Sequence, residues 1–241
     1  MRTENVKRLS GVSISKNAKD FITVYYLTKN IKQFVSVYAR GKILDVGCGN
    51  KPYETLFNTT KEKYVGCDVV QSSENKVDVI SKATEIAFES NSFDTVFSTQ
   101  VMEHVDNSDL MMSECNRVLK PGGIFILSVP LCWELHEEPY DFFRFTKYGL
   151  KELCDRNNFE VIEIVPNGGK WAAIMQMNIN MIYSTFKKKN LFIKGLKFLF
   201  INLHLTELIN RIAIKADDRF FDPLLTLNYL LVARKKNAAT L

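Results

Sequence analysis

No stretch of this chain reaches the ~18 uninterrupted apolar residues that a membrane-spanning helix needs, which excludes a polytopic membrane protein. The first twenty residues, MRTENVKRLSGVSISKNAKD, hold no apolar core, so no secretory leader is expected. No CxxC pair occurs among the five cysteines, Cys48, Cys67, Cys115, Cys132 and Cys154. Their odd number and wide spacing argue against a disulfide framework and against a zinc site, and predict reduced thiols in a cytoplasm. No metal is expected. Internal repeats and low-complexity tracts are lacking too. Acids nearly vanish from residues 170–215, where eight Lys or Arg stand against one Glu, Glu207. That segment carries +7 in a chain of net +5, leaving −2 elsewhere. It is too apolar and too poor in arginine for a nucleic-acid arm, so no nucleic-acid partner is expected.

What is present is ordinary globular composition. Of 241 residues, 46% are hydrophobic and 24% charged, enough for one large domain or two small ones. Residues 17–40 read as a helix, because Phe21, Val24, Tyr25, Thr28, Ile31, Phe34, Val35 and Tyr38 recur at three- and four-residue spacing. Gly41 is placed to end it. The period then changes. KILDV, KYVGCD (63–68), VDVI (77–80), DTVFST (94–99), GIFILSVP (123–130), FEVIEIVP (159–166) and LNYLLVARK (227–235) read as strands. Helices are expected over 108–119, stopped by Lys120-Pro121-Gly122-Gly123, and over 147–157, capped by Thr146. Strands alternating with helices predict a parallel sheet with right-handed crossovers. The fifth strand is continuously apolar and should be buried on both faces.

The most informative hexapeptide is Leu44-Asp45-Val46-Gly47-Cys48-Gly49. A strand ends with an acid near its tip, and two glycines follow at i and i+2. Glycine permits a tight bend and the close approach of a ligand, and ligands of open α/β sheets bind beyond the carboxyl ends of the strands. A dinucleotide site would need G-x-G-x-x-G, yet position 52 is proline, and Asp45 would stand beside the pyrophosphate. Asp45 suits a cationic amino group better. Asp68 closes the second strand nineteen residues after Gly49, where an acid accepts hydrogen bonds from ribose hydroxyls. The two acids thus bracket a nucleoside carrying positive charge. Either acid could alternatively cap a helix or turn, Cys48 reads as a small turn residue, and Phe88 and Phe93 read as core.

LDVGCG, YVGCD, FESNSFDTVFSTQVMEHV and RVLKPGGIFILSVP, in that order, resemble the class I S-adenosylmethionine-dependent methyltransferases. The resemblance spans about residues 40–166 plus the last strand at 226–236. It implies an α/β fold with a Rossmann-like, seven-stranded, mostly parallel sheet, helices on both faces and the last strand antiparallel. It also implies S-adenosylmethionine as cofactor. One methyltransferase domain is expected over 1–241: an N-terminal helical cap at 1–40, the cofactor core at 41–169, a basic apolar helical insertion at 170–225 between strands six and seven, and the last strand at 226–236. By the resemblance Asp45, Gly47, Cys48 and Gly49 would hold the methionine part of the cofactor and Asp68 the ribose. Val69, Ala83 and Thr84 would lie at the adenine, and Gln100 under the sulfonium. Two departures stand out. Lys51 replaces a third glycine, and Lys82 replaces an aspartate that would receive the adenine amino group.

Methyl transfer from sulfonium is an in-line displacement that needs alignment and dryness, and an oxygen or nitrogen nucleophile can need a base. His104, in VMEHV, is one candidate, although the Glu-His step recurs across relatives with different substrates. The other is His136, in WELHEEPYDFFRFT (133–146), a loop following the fifth strand whose His, acids, Arg and aromatics exceed what packing requires. Trp133, Glu137, Tyr140 and Arg144 are its expected acceptor-binding residues, with Pro139 and Phe142 as anchors; Arg144 could alternatively serve only to pair with Asp141. A similar H-x-x-P-x-D-F-x-R-F-T loop occurs in relatives linked to bacterial cell-surface glycan synthesis, which is fold-level analogy. The expected acceptor is a small molecule, a sugar or a lipid-linked group, methylated at oxygen. Methylation of a lipid or quinone headgroup, or a non-catalytic cofactor-binding scaffold at the membrane, are the alternatives. The insertion centre, KKKNLFIKGLKFLFINLHL, is expected to be a helix apolar on nearly all sides. Such a helix must be buried, as a cap over the acceptor pocket or, through 187–205, on the cytoplasmic membrane face.

Overall fold

The computed structural model describes residues 11–57, 63–188 and 190–237. Helix α1 (Phe21–Tyr38) precedes β1 (Ile43–Val46), β2 (Tyr64–Asp68), β3 (Val79–Ile80) and β4 (Phe93–Thr99). Then come α2 (Ser108–Val118), β5 (Leu119–Pro130), α3 (Lys147–Arg156), β6 (Phe159–Asn167), α4 (Lys170–Thr185), α5 (Leu191–Asn202), α6 (Leu205–Arg219) and β7 (Asn228–Lys235). One seven-stranded sheet forms in the order β3-β2-β1-β4-β5-β7-β6. The pairs from β3 to β5 are parallel, and β7 runs antiparallel to both β5 and β6.

The period-2 alternation of the strands divides the core between two faces. Ile43, Ile124, Ile126, Leu230 and Val232 meet Leu27, Ile31, Phe34 and Val35 of α1. Leu44, Val46, Phe125, Leu127 and Leu231 point the other way, onto Met111, Met112 and Cys115 of α2 and Leu150 and Leu153 of α3. Helices therefore cover both faces, and β5 is buried on each. Phe88 and Phe93 pack edge to face, centroids 5.1 Å apart, within the second cluster. Asn107 and Thr146 cap α2 and α3, accepting from the main-chain N–H groups of Leu110 and Gly149.

Three local expectations are corrected. Helix α1 stops at Tyr38, ahead of Gly41; Gly41, with φ 62°, instead turns the chain into β1, where a Cβ would lie 2.3 Å from Asp94. Helix α2 ends at Val118, because Leu119 already pairs with Phe93 of β4. Lys120–Gly123 loop out of register before Ile124 pairs with Thr95, so the Pro-Gly-Gly run is an irregularity in β5 rather than a helix stop. The insertion helix is broken at His204, whose φ is 51°, into α5 and α6.

Residues 170–225 do not form a cap over the ligand cleft described below, since none of their described residues lines it. Ala172, Ala173 and Ile179 of α4 and Ala213 of α6 instead pack on Ile22 and Tyr26, at the start of α1. Buried polar groups lock this contact. Gln176 Nε2 donates to the Lys19 carbonyl at 2.8 Å, and Asn210 Nδ2 donates to the Lys16 carbonyl at 2.8 Å.

Candidate active site

A cleft of about 740 Å³ opens at the C-terminal ends of β1, β2 and β4, a size typical of ligand sites. All nine residues expected at the cofactor line it, together with His104, His136, Glu137 and Tyr140. Its base is the turn after β1. Gly47 has φ 76°, and a Cβ there would sit 2.3 Å from a Val101 methyl, so only glycine fits. The N–H groups of Gly47 and Cys48 donate to the Cys67 carbonyl at 2.8 and 3.1 Å, tying the turn to β2.

The two acids are built differently. Asp45 is buried, and its Oδ2 accepts from the Tyr64 hydroxyl at 2.7 Å. Burial pushes its carboxyl up to about 7, the Tyr64 hydrogen bond opposing and the neighbouring Asp68 adding. A cationic group in the cleft would relieve that buried charge. Asp68 uses its carboxylate to organise main chain as well: Oδ2 accepts from Gly49 N–H at 3.1 Å and Oδ1 from Val69 N–H at 2.8 Å. Lys82 is the one Lys or Arg among the described lining residues, against Asp45, Asp68, Asp106 and Glu137. This balance suits a nucleoside sulfonium with an ammonium group and disfavours a pyrophosphate.

The loop after β5 folds back onto the turn Met102–His104. Phe142 N–H donates to the Glu103 carbonyl at 2.8 Å. His104 Nδ1 lies 2.7 Å from the Tyr140 carbonyl, which can only accept, so Nδ1 carries the proton. Its Nε2 lies 3.6 Å from Glu137 Oε2 and 3.9 Å from Glu103 Oε1. His136 Nδ1 is likewise among acceptors, 3.2 Å from both the Glu134 carbonyl and Asp141 Oδ2. Two imidazoles with their Nδ1 protons committed thus stand in one cleft with the glycine turn. Gln100 and Glu137, both lining the cleft, have φ of 54°; such backbone concentrates at functional sites. Gln100 is fastened by its N–H and Nε2, which donate to the Ser128 carbonyl and hydroxyl.

Two acceptor-side expectations are corrected. Arg144 does not line the cleft. Its guanidinium bonds both oxygens of Asp141, at 2.6 and 2.7 Å, and the carbonyls of Trp133, Glu134 and Phe143. It shapes the loop instead, and its charge, by hydrogen bonding, holds the Asp141 carboxyl down at about 2. Trp133 is also off the lining, turned into the cluster of α1, α4 and α6. Sequence reasoning missed Leu27, Asn50, Tyr53, Asp106 and Phe142 on the lining. It also missed Glu103 as a buried acid behind His104, pushed up to about 8 by burial. The Glu-His step was its only signal.

A seven-stranded sheet of this order, with the last strand of the chain, β7, antiparallel between β5 and β6 and a glycine turn and paired acids at β1 and β2, is a Rossmann-like α/β fold. Residues 44–127 match the family described as a methyltransferase domain. A Mycolicibacterium smegmatis protein named "Probable S-adenosylmethionine-dependent methyltransferase" is 31% identical over 96 residues, covering 36% of this chain and 37% of its own. A ubiquinone biosynthesis O-methyltransferase of Agrobacterium fabrum is 30% identical over 95 residues, covering 34% and 38%. The chain thus spans little more than a third of these curated relatives. The crystal structure of the [4+2]-cyclase SpnF shares the fold, with TM-score 0.57 and 17% identity over 89% of this chain and 82% of that one. A cyclase on this scaffold shows why the chemistry must be argued from the site.

Proposed function

We propose that the protein transfers a methyl group from S-adenosylmethionine to an oxygen of a small-molecule or glycan acceptor. The observation that carries this reading is the meeting of His104 and His136 in the cleft that begins at the glycine turn. When bound, the cofactor supplies an electrophilic methyl group on sulfur. The turn at Gly47–Gly49 and the carboxylates of Asp45 and Asp68 hold its amino-acid and ribose parts. Val69, Ala83 and Thr84 border the base, and the main chain receives it where Lys82 departs from the usual aspartate. Gln100 borders the reacting end. His104 Nε2, oriented by the Tyr140 carbonyl, takes the acceptor proton, and His136 and Glu137 orient the acceptor hydroxyl. Tyr140 and Phe142 offer a stacking edge beside these hydrogen-bonding groups, which suits a sugar ring or another polyol.

A second reading, methylation of a quinone or lipid headgroup, is favoured by the similarity to ubiquinone biosynthesis O-methyltransferases. Labelled methyl from S-adenosylmethionine, offered with cell extract, separates the readings. Label in polysaccharide or small polar products supports the first, and label in the lipid fraction supports the second. No transfer despite cofactor binding leaves a scaffold and sinks both. Activity that a chelator abolishes and a divalent cation restores would reassign Glu103, His104 and His136, whose ligand-type atoms lie within 4.8 Å of one another, to a metal.

A further inference from the structure

We propose that α5 and the lysines around it form a docking surface for an anionic lipid bilayer. A globular core buries the apolar residues of its helices, and α5 does not. Of its twelve residues only Phe200 is buried, held by Phe186 and Tyr183 with ring centroids 5.3 and 6.4 Å away. Leu191 is 84% exposed, Phe192 79%, Phe198 66% and Leu199 54%. At about 100° per residue, Phe198, Leu191, Leu199, Phe192 and Leu196 make a continuous exposed arc of about 160°. A Cβ built on Gly195, inside that arc, meets nothing within 4 Å, so no element among the described residues covers it. Contiguous apolar surface of this kind marks an interaction site.

The charge chooses the occupant. Exposed Lys194 borders the arc, exposed Lys197 stands on the opposite face of α5, and exposed Lys187 and Lys188 precede the helix; Lys189 lies outside the described residues. No acid occurs from 170 to 206. A twofold contact with a second copy would set this patch against itself and lysine against lysine. An anionic bilayer instead accepts the apolar arc at the acyl boundary and the ammonium groups at the headgroups. No helix of the described residues is long and apolar enough to cross a membrane. At about 18 Å, α5 falls short of the ~30 Å hydrocarbon core, so it would lie in the interface plane.

Co-sedimentation of the full chain with vesicles tests this, using phosphatidylcholine alone and phosphatidylcholine mixed with phosphatidylglycerol. The expected result is binding to the mixed vesicles that weakens with salt. Changing Lys187, Lys188, Lys194 and Lys197 to Gln should weaken it by about tenfold or more. Phe192→Ser with Leu199→Ser should abolish it while S-adenosylmethionine affinity, measured by calorimetry, shows the fold intact. Protein that stays in the supernatant at low salt overturns the proposal, as does equal binding to the neutral vesicles. A dimer dissolved by the serine variants, without vesicle binding, overturns it in favour of a second copy.

Discussion

The rings of His104 and His136 meet edge to face with centroids 4.7 Å apart. One follows β4 and the other belongs to the loop after β5, and each has its Nδ1 turned to an acceptor. If one takes the acceptor proton and the other orients the hydroxyl, His104→Ala and His136→Ala should each lower turnover, by about 10²-fold or more for the base. Cofactor affinity should hardly change in either. Loss of cofactor binding in His136→Ala would show that the loop serves the cofactor side instead.

Asp68→Ala should weaken S-adenosylmethionine binding tenfold or more, since charge-assisted hydrogen bonds contribute ~1.5–3 kcal/mol each. The same substitution releases Gly49 N–H, so its enthalpy of binding should fall as well. Calorimetry on a folded variant with unchanged affinity would refute the ribose assignment.

Cofactor binding should depend on pH through Asp45. Its carboxyl ordinarily titrates near 3.8 and is pushed up to about 7 in the fold, mainly by burial. A raised value means the folded chain holds this proton more tightly, so the group's contribution to stability declines as pH rises from about 4 to about 7. A ligand ammonium needs the carboxylate, so affinity should rise with pH up to about 7 and a proton should be released on binding at pH 6. Titrations in two buffers of different ionisation enthalpy measure that proton. Asp45→Asn should remove it.

Glu103 predicts a stability effect of the same sign. Its carboxyl is pushed from 4.5 to about 8 by burial, with some relief from the Arg144 charge. Ionisation of the folded form is therefore costly, and stability should fall between about pH 4.5 and 8. Glu103→Gln should melt progressively higher than the parent across that range, with the gap levelling above pH 8. A gap independent of pH would mean the carboxyl is ionised throughout.

Arg144 and Asp141 form the latch of the loop. Arg144→Gln should raise the acceptor KM and lower turnover while leaving cofactor affinity intact, because Gln cannot bridge Asp141 and three carbonyls at once. Asp141, held at about 2 chiefly by that guanidinium, contributes stability that is present above about pH 4 and lost as pH falls through 2. An unchanged acceptor KM would separate the latch from the site.

The turn after β1 was legible in the chain because its determinants are local. A strand tip, an acid and a glycine turn are contiguous in Leu44–Gly49, and the turn conformation admits only Gly47. The alternation of Ile124, Phe125, Ile126 and Leu127 likewise determines a strand buried on both faces, whatever packs against it. Tertiary structure alone decided the rest. Tyr64 reaches Asp45 only because β1 and β2 are neighbours in register. Arg144 could have faced an acceptor as well as Asp141, and the loop's own carbonyls claimed it. Trp133 turned to the helices because α4 and α6 dock on α1. The same docking sent the insertion away from the cleft and left α5 bare. Hydrophobicity read along a helix says that it wants cover, but which surface provides it depends on where the distant buried partners Gln176 and Asn210 find Lys19 and Lys16.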